Sequence, residues 1–455
     1  MIPPQQNQTT EEILDGSLVP LMLKLSIPGI VAMVLISLNT FIDILFAGQL
    51  IGETALAAIS LALPITVIVI GFAMGLGVGS ASVLSRAIGA GDIKIQSKIF
   101  GNLAILSTVI SFFLGSLGYF YSEELIYFMG GEGEIAYSGA EYLKTYMLGA
   151  VFLSLAVSSS QLIKAEGKIY LATIFSGIYV ATNVILNPIF ISVFDLEIKG
   201  IAWATVISAL VYSIINSGYF LTGKSSIPVN PRKFVLATEL LPAISSVGAS
   251  VVLAQVTGVI QQIVIFKSIS HYGEEFDIAF AGAALGIYSL AITPVYGCVQ
   301  ALQPVIGINY GAKKFKRVNK GYFIFAIGGT ILITLIWLPL QLFPATFLGL
   351  LLPGTNFQIS YLINFRIIIL LLPLVSFVWC SVTLFQSLGE GKTAGIIVIL
   401  RQLVLFIPTI LIVPSLLGID GIYYSLAGID ILIILIVAFF TWKQLNLLKL
   451  REEIC

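Results

Sequence analysis

Apolar runs of about 20 residues, each closed off by a short cluster of charged or turn-forming residues, recur along this chain, and no other feature restricts its fold so strongly. They fall at roughly 20–47, 55–84, 99–121, 140–163, 169–193, 199–221, 239–266, 278–307, 321–343, 357–386, 393–417 and 419–441. A run of that length crosses a hydrocarbon slab of ~30 Å as a helix. It has to be a helix, because lipid offers no partner to backbone N–H and C=O groups. Composition agrees: 58% of 455 residues are apolar, against 23 basic and 23 acidic side chains, where a soluble domain carries about 25% charged residues. Water-soluble, disordered and disulfide-stapled classes are excluded. Cys298, Cys380 and Cys455 show no paired or zinc-ligand spacing, and His271 is the single histidine, so a His-based metal centre is excluded by counting. The expected fold is an all-α polytopic membrane protein with twelve transmembrane helices.

Orientation follows from the basic residues. The first 19 residues carry Glu11, Glu12 and Asp15 and no basic residue, the reverse of a signal peptide, so the first run is expected to stay as a span. With the N-terminus inside, 18 of the 23 basic residues, Lys164, Arg232 and Lys233 among them, collect on the inner side. Lys144, Lys199 and Lys267 fall outside, and Arg366 and Arg401 lie within spans. Such a bias predicts cytoplasmic N- and C-termini in a multi-pass cell-membrane (plasma or inner-membrane) protein. The basic stretch GAKKFKRVNK is then a topology determinant near anionic headgroups, and no nucleic-acid partner is expected.

The halves repeat. Gly89-Ala90 recurs as Gly311-Ala312 and Gly75 as Gly297, both 222 residues on; Glu166-Gly167-Lys168 recurs as Glu390-Gly391-Lys392 after 224, and Gly200-Ile201 as Gly421-Ile422 after 221. Such ordered matches at nearly one offset indicate duplication, and an even span count per half gives both halves the same orientation. The expected organisation is a cytoplasmic N-terminal tail (1–18), an N-lobe (19–222), a cytoplasmic linker (223–238), a C-lobe (239–442) and a cytoplasmic C-terminal tail (443–455). Two pseudo-symmetric six-helix lobes around a central cleft suit a carrier better than a channel, which usually assembles symmetry from several chains.

Ionisable groups inside the slab are costly and mark function by default. Asp43 lies about 27 Å along the first span, with Asn39 one turn earlier on the same face. Asn183 and Asn187, one turn apart in the fifth span, and Thr205 in the sixth reach a similar depth. One carboxylate with amide and hydroxyl oxygens is a hard-oxygen set, suited to a small cation or to a proton on the carboxylate. The alternative is that the Asn and Thr side chains merely cross-link helices. Gln161 and Tyr179, with Asn39 and Asp43, are the candidate lining of the substrate cleft. Arg401 and Asp430 match in depth on adjacent spans and are expected to form a structural ion pair. Arg366 is placed to snorkel, and Gln261, Gln262, Gln300 and Gln303 read as helix-packing groups. Pro28 offers a kink, and thereby a hinge, in the first span, and Gly71, Gly75, Gly77 and Gly79 allow close helix approach.

The pieces GVGSASVLSRAIGAGD (77–92), NVILNPIF (183–190), GIAWAT (200–205) and QPVIGINYGAKKFKRV (303–318), in this order within twelve spans, resemble the multidrug and toxic compound extrusion (MATE) transporters of the larger flippase group. The resemblance implies export of amphipathic, often cationic or aromatic compounds in exchange for Na⁺ or H⁺, with no other cofactor and no catalytic residue. It implies that Asp43 is the coupling carboxylate, acting with Asn183, Asn187 and Thr205, and that Pro28 is the kink-forming proline. The family's N-x-x-x-D-P is here Asn183 followed by Asn187-Pro188, one carboxylate fewer. The expected partners are the bilayer and small amphipathic organic substrates, with the protein a monomer. The competing readings are a lipid-linked saccharide flippase, which a cleft lined by Arg366 and Arg401 would favour, and an intramembrane enzyme, for which no HExxH, Ser/His pair or carboxylate dyad is present.

Overall fold

The structure is a computed structural model and describes residues 8–229, 234 and 236–454. Arg232, Lys233 and Cys455 lie outside the described residues. Among the described residues there are helices and connections and no strand, as the need to satisfy backbone groups within each segment requires.

The helices in order are α1 (Gln8–Asp15), α2 (Leu18–Phe46), α3 (Glu53–Ala90), α4 (Ile93–Phe120), α5 (Ser122–Phe128), α6 (Gly133–Leu148), α7 (Ala150–Ala165), α8 (Ile169–Pro188) and α9 (Glu197–Leu221), followed by α10 (Leu241–Tyr272), α11 (Glu275–Gly311), α12 (Phe315–Leu342), α13 (Pro344–Leu351), α14 (Ile359–Ile368), α15 (Leu372–Leu388), α16 (Gly391–Ile399), α17 (Phe406–Leu417) and α18 (Asp420–Ile454). Eleven helical stretches are long and apolar enough to cross a bilayer, and α6 with α7, bent by 56°, makes a twelfth. Side chains such as Phe112, Ile214, Leu335 and Phe439 stay largely exposed on the outer surface, where lipid covers them.

Several spans are broken for identifiable reasons. The α6–α7 bend falls at Gly149, where a Cβ would sit 2.6 Å from Val206 of α9. Between α14 and α15 the chain turns at Ile369–Leu371, and Pro373 in the first turn of α15 has no N–H to continue the preceding helix. Wide π turns follow α2 (Ala47–Ile51), α8 (Ile189–Val193) and α16 (Leu400–Val404); Arg401 sits in the last of these, and such turns often mark functional positions.

The two terminal segments are helical where plain tails are expected. Helix α1 docks against the second half of the chain: Asn309 Nδ2 and Arg317 Nε donate to the Ile13 carbonyl at 3.1 and 2.9 Å, and Lys314 pairs with Asp15 at 2.6 Å. Lys24 of α2 pairs with Glu12 at 2.5 Å, and Ile13 is wholly buried. Helix α18 runs on to Ile454, with Arg451 donating to the Tyr310 hydroxyl at 2.9 Å. Both termini therefore share one face, called the terminal face below. The start of the inter-lobe linker is pinned as well: the buried Glu166 carboxylate accepts from Tyr219 Oη at 2.8 Å, Ser225 Oγ at 2.6 Å and Ser226 N–H at 2.9 Å.

Helices α2–α9 form an N-lobe and α10–α18 a C-lobe, and they meet through glycine. A Cβ on Gly29 (α2) would lie 2.6 Å from the Gly297 carbonyl (α11); one on Gly75 (α3) would lie 2.8 Å from the Gly248 carbonyl (α10), and the reverse holds at 2.8 Å. These two crossings pair the first two spans of each half and are related by the internal repeat. Towards the terminal face, Cβ atoms on Gly79, Gly89 and Gly311 would strike the carbonyls of Ile244, Ile308 and Arg86. Ser82 Oγ and Arg86 add hydrogen bonds to the carbonyls of Gln386 at 2.5 Å and Leu388 at 3.4 Å. On the opposite half the lobes part around a groove of about 740 Å³, with Thr40, Pro64 and Val67 on one wall and Gly258, Gln262 and Phe266 on the other. The molecule is sealed on its terminal face and open on the other.

A branched side chain at a crossing should prise the seal. Gly248→Val should destabilise this arrangement by about 1–3 kcal/mol. Spin labels on the terminal ends of α3 and α10 should then report a longer inter-lobe distance, and an unchanged distance distribution would count against the crossing as the closing contact.

Candidate functional site

The N-lobe polar cluster is built from three helices. In α2, Asn39 and Asp43 are four residues apart and share a face; Asn183 and Asn187 do the same in α8, and Thr205 faces them from α9. Asn187 Nδ2 donates to Asp43 Oδ1 at 2.7 Å and to Asn183 Oδ1 at 3.0 Å. Asn39 Nδ2 donates to Asp43 Oδ2 at 3.3 Å, and Asn183 Nδ2 to Thr205 Oγ1 at 3.2 Å. Asn39, Asn183, Asn187 and Thr205 are buried, and Asp43 is half-buried. The candidate cation-coupling residues thus form one continuous hydrogen-bonded chain.

Two features set the chemistry of the cluster. Among the described residues the ion pairs do not include Asp43, so its charge meets only neutral amides. The Oδ1 atoms of Asn39 and Asn187, both buried, have no hydrogen-bond partner. A carboxylate with unpaired amide oxygens beside it fits a small hard cation or a proton. Tyr142, Tyr146 and Tyr179 lie within electrostatic range of Asp43. Tyr142 and Tyr146 are residues that the spacing argument does not reach; they come from the bent α6, whose register depends on the Gly149 break.

The candidate cleft residues divide between two places. Asn39, Asp43 and Tyr179 belong to the N-lobe cluster, whereas Gln161 lines an inter-lobe cavity of about 340 Å³. Gln255, Gln300, Gln303 and Gln386 also line it, with Tyr296 and Trp379 set edge to face at 5.3 Å. Gln300 and Gln303 do make packing hydrogen bonds, to Met33 Sδ at 3.0 Å and Ser85 Oγ at 3.3 Å, and they line this cavity too. Ala254 and Gln255 border both the cavity and the open groove, so the cavity continues outward on that side.

Pro28 lies inside α2, and its carbonyl accepts from Thr173 Oγ1 of α8 at 2.8 Å. Arg401 donates to Asp430 Oδ1 through Nε at 3.3 Å and Nη2 at 3.0 Å, forming the expected pair in a separate C-lobe pocket that also holds Gln261 and Tyr288. Arg366 donates to the Gln341 carbonyl at 3.1 Å on the exposed side. Neither arginine lines the inter-lobe cavity, so the feature that would favour a saccharide flippase is not met.

The family model described as MatE matches this chain twice, over residues 28–189 and 251–412. The chain belongs to the MATE family. The two matches are displaced by the same interval as the internal repeats. Among relatives, the MATE chain is 27% identical to the multidrug export protein MepA of Staphylococcus aureus strain MSSA476 over 415 residues, 89% of each protein. It is 27% identical over 416 residues, again 89% of each, to MepA of Staphylococcus saprophyticus. Among solved structures it superposes on a MATE transporter in the bent conformation (TM-score 0.91, 24% identity, 97% of this chain and 98% of that one). It also superposes on an outward-facing multidrug resistance MATE family transporter (TM-score 0.90, 24% identity, 97% and 99%). The chain is a multi-pass membrane transporter and not an enzyme.

Removing one partner of the Arg401–Asp430 pair should be costly and removing both cheap. Arg401→Met should destabilise by up to about 3–5 kcal/mol in thermal unfolding, with most of it recovered in Arg401→Met/Asp430→Leu. Equal losses in the single and double variants would show the pair to have no structural role.

Proposed function

We propose that this MATE protein is a secondary antiporter that exports amphipathic, often cationic or aromatic, compounds in exchange for Na⁺ or H⁺, with Asp43 as the coupling carboxylate. The observation that carries the reading is the Asp43 charge, which among the described residues has no basic partner and lies beside two unpaired buried amide oxygens. The relatives named as multidrug export proteins support the direction and the class of cargo.

The arrangement has the donors of an ion-free carboxylate: Asn39 and Asn187 both aim N–H groups at it. Loading reverses the electrostatic demand. A cation at Asp43, or a proton on it, is better served by the Oδ1 atoms of the same two amides, which a half-turn about each Cβ–Cγ bond would present. That turn exchanges the direct Asn187 N–H···Asp43 hydrogen bond between α8 and α2 for a contact made through the ion or proton, with a different geometry. Each monovalent cation crossing ~100 mV supplies about 2.3 kcal/mol, so a single Asp43 suffices to bias two packings of similar stability. The positive-inside bias supports a cytoplasmic terminal face, and the open groove then faces outside.

Asp43→Asn should abolish cation-driven dye efflux from proteoliposomes and remove Na⁺- or pH-dependent thermal stabilisation while leaving expression intact. Asn187→Asp restores a second carboxylate and should tighten Na⁺ binding by about tenfold or more, read as the Na⁺ concentration at half-maximal thermal shift. An active Asp43→Asn protein would remove this mechanism.

A further inference from the structure

Lys164 is a buried basic group that ion coupling at Asp43 leaves without a task. It lies in the last turn of α7 with 5% of its surface exposed, and its Nζ donates to Gln300 Oε1 at 2.7 Å. Among the described residues its ammonium is in no ion pair. Glu166, two residues on, is committed to Tyr219, Ser225 and Ser226. An ammonium has three donors, and burying it without a counter-charge is unfavourable. The repeat interval of 224 residues places Leu388 at the matching position of the other half, so the lysine is particular to the N-lobe and not part of the duplicated frame.

The position of Lys164 gives it a use. Gln300 and Gln161, the latter one turn before Lys164, are both walls of the inter-lobe cavity, so the ammonium lies directly behind that wall, 2.7 Å from Gln300 Oε1. The side chains lining that cavity include five glutamines, Tyr296 and Trp379, and none is charged. Amides solvate either sign of charge, but nothing in the lining offers an organic cation a counter-charge. Lys164 offers one to an anion.

The geometry points to an amphipathic aromatic anion as the substrate. Its acidic group takes the Lys164 ammonium, its rings lie against Tyr296 and Trp379, and its polar substituents meet the glutamines. A cavity of about 340 Å³ suits a molecule of drug size. The family resemblance points to substrates that are often cationic; the ammonium beside this cavity carries the same sign as such a substrate and repels it. Because Lys164 belongs to the N-lobe and Gln300 to the C-lobe, an acid that captures the ammonium also competes with a contact of the seal, and the contact re-forms when the acid leaves. The inference rests on the antiport reading for transport and not for binding.

The test uses two xanthene dyes of one shape, anionic fluorescein and cationic rhodamine methyl ester, in equilibrium binding to the purified full-length protein. Wild type should favour fluorescein by about tenfold or more, Lys164→Gln should lose that preference, and Lys164→Arg should keep most of it. Gln300→Leu frees the ammonium and should tighten fluorescein, which keeps the proposal testable if Lys164→Gln does not fold. Wild-type preference for the rhodamine, unchanged fluorescein affinity in folded Lys164→Gln, or weakened binding in Gln300→Leu would each overturn it. Dioleoylphosphatidylglycerol should not displace fluorescein; displacement would assign the ammonium to a lipid phosphate instead. If fluorescein binds through Lys164 yet no Na⁺ or H⁺ gradient moves it, the antiport reading falls and this one stands. If a gradient drives only the rhodamine, the reverse holds.

Discussion

A carboxylate held only by neutral amides is the constraint on which the rest of this molecule turns. In a hydrocarbon slab a charge must find a partner or change its state. Asp43 finds N–H groups from Asn39 and Asn187, enough to keep it in place and too little to neutralise it. A basic residue in that position would have made the cluster a permanent strut. The missing second acid, Asn187 where the resemblance leads one to expect Asp, keeps the cluster at one negative charge, so the proposed antiport would rest on a single carboxylate.

The C-lobe shows the other solution. Asp430 has Arg401 against it, and the pair is shielded in its own pocket. Its guanidinium occupies the place that a mobile cation would need, so the duplication of the fold is not a duplication of the ion site. The lobes also differ behind the cavity wall, where Lys164 contacts Gln300 and the repeat has Leu388. Pseudo-symmetry thus governs the frame, through the Gly29–Gly297 and Gly75–Gly248 crossings, while charge is distributed asymmetrically on it. In the proposed antiport, matched crossings would let the frame rock and the unlike charges would give its two positions different affinities for ion and cargo.

Much of this was legible in the chain. Residues four apart on a helix and a rise of about 1.5 Å per residue were enough to bring Asp43, Asn183, Asn187 and Thr205 to one depth, because each span is a straight ruler from a known face. Arg401 and Asp430 followed from the same ruler. What escaped depends on how the two lobes face each other. Gln255, Gln386, Tyr296 and Trp379 become one cavity only when α10, α11 and α15 are placed beside the N-lobe, and no spacing within a span encodes that. Lys164 read as one more cytoplasmic topology residue because it falls one position past the predicted end of its span. Helix α1 was missed for a different reason: eight residues with no apolar stripe long enough to detect hold their place through Ile13 and the carbonyl contacts of Asn309 and Arg317.

The same contacts connect the ion cluster to the seal. Helix α2 is tied to α8 at two levels, by Thr173 to the Pro28 carbonyl and by Asn187 to Asp43, about 22 Å apart along the helix. One residue beyond Pro28, Gly29 presses its backbone against Gly297 of the other lobe. Pro28 lacks the N–H that would stiffen this turn, so α2 is weakest where the two lobes touch. On the proposed antiport, loading would replace the direct N–H contact of the upper tie by one through the ion or proton and shift the outer part of α2 about its weak point, relative to the groove bordered by Thr40. Under that proposal a change of one charge at Asp43 would become a change of angle at Gly29, the crossing where the lobes meet. Ion and cargo need not touch: the cluster and the cavity communicate through one helix that belongs to the walls of both the groove and the seal.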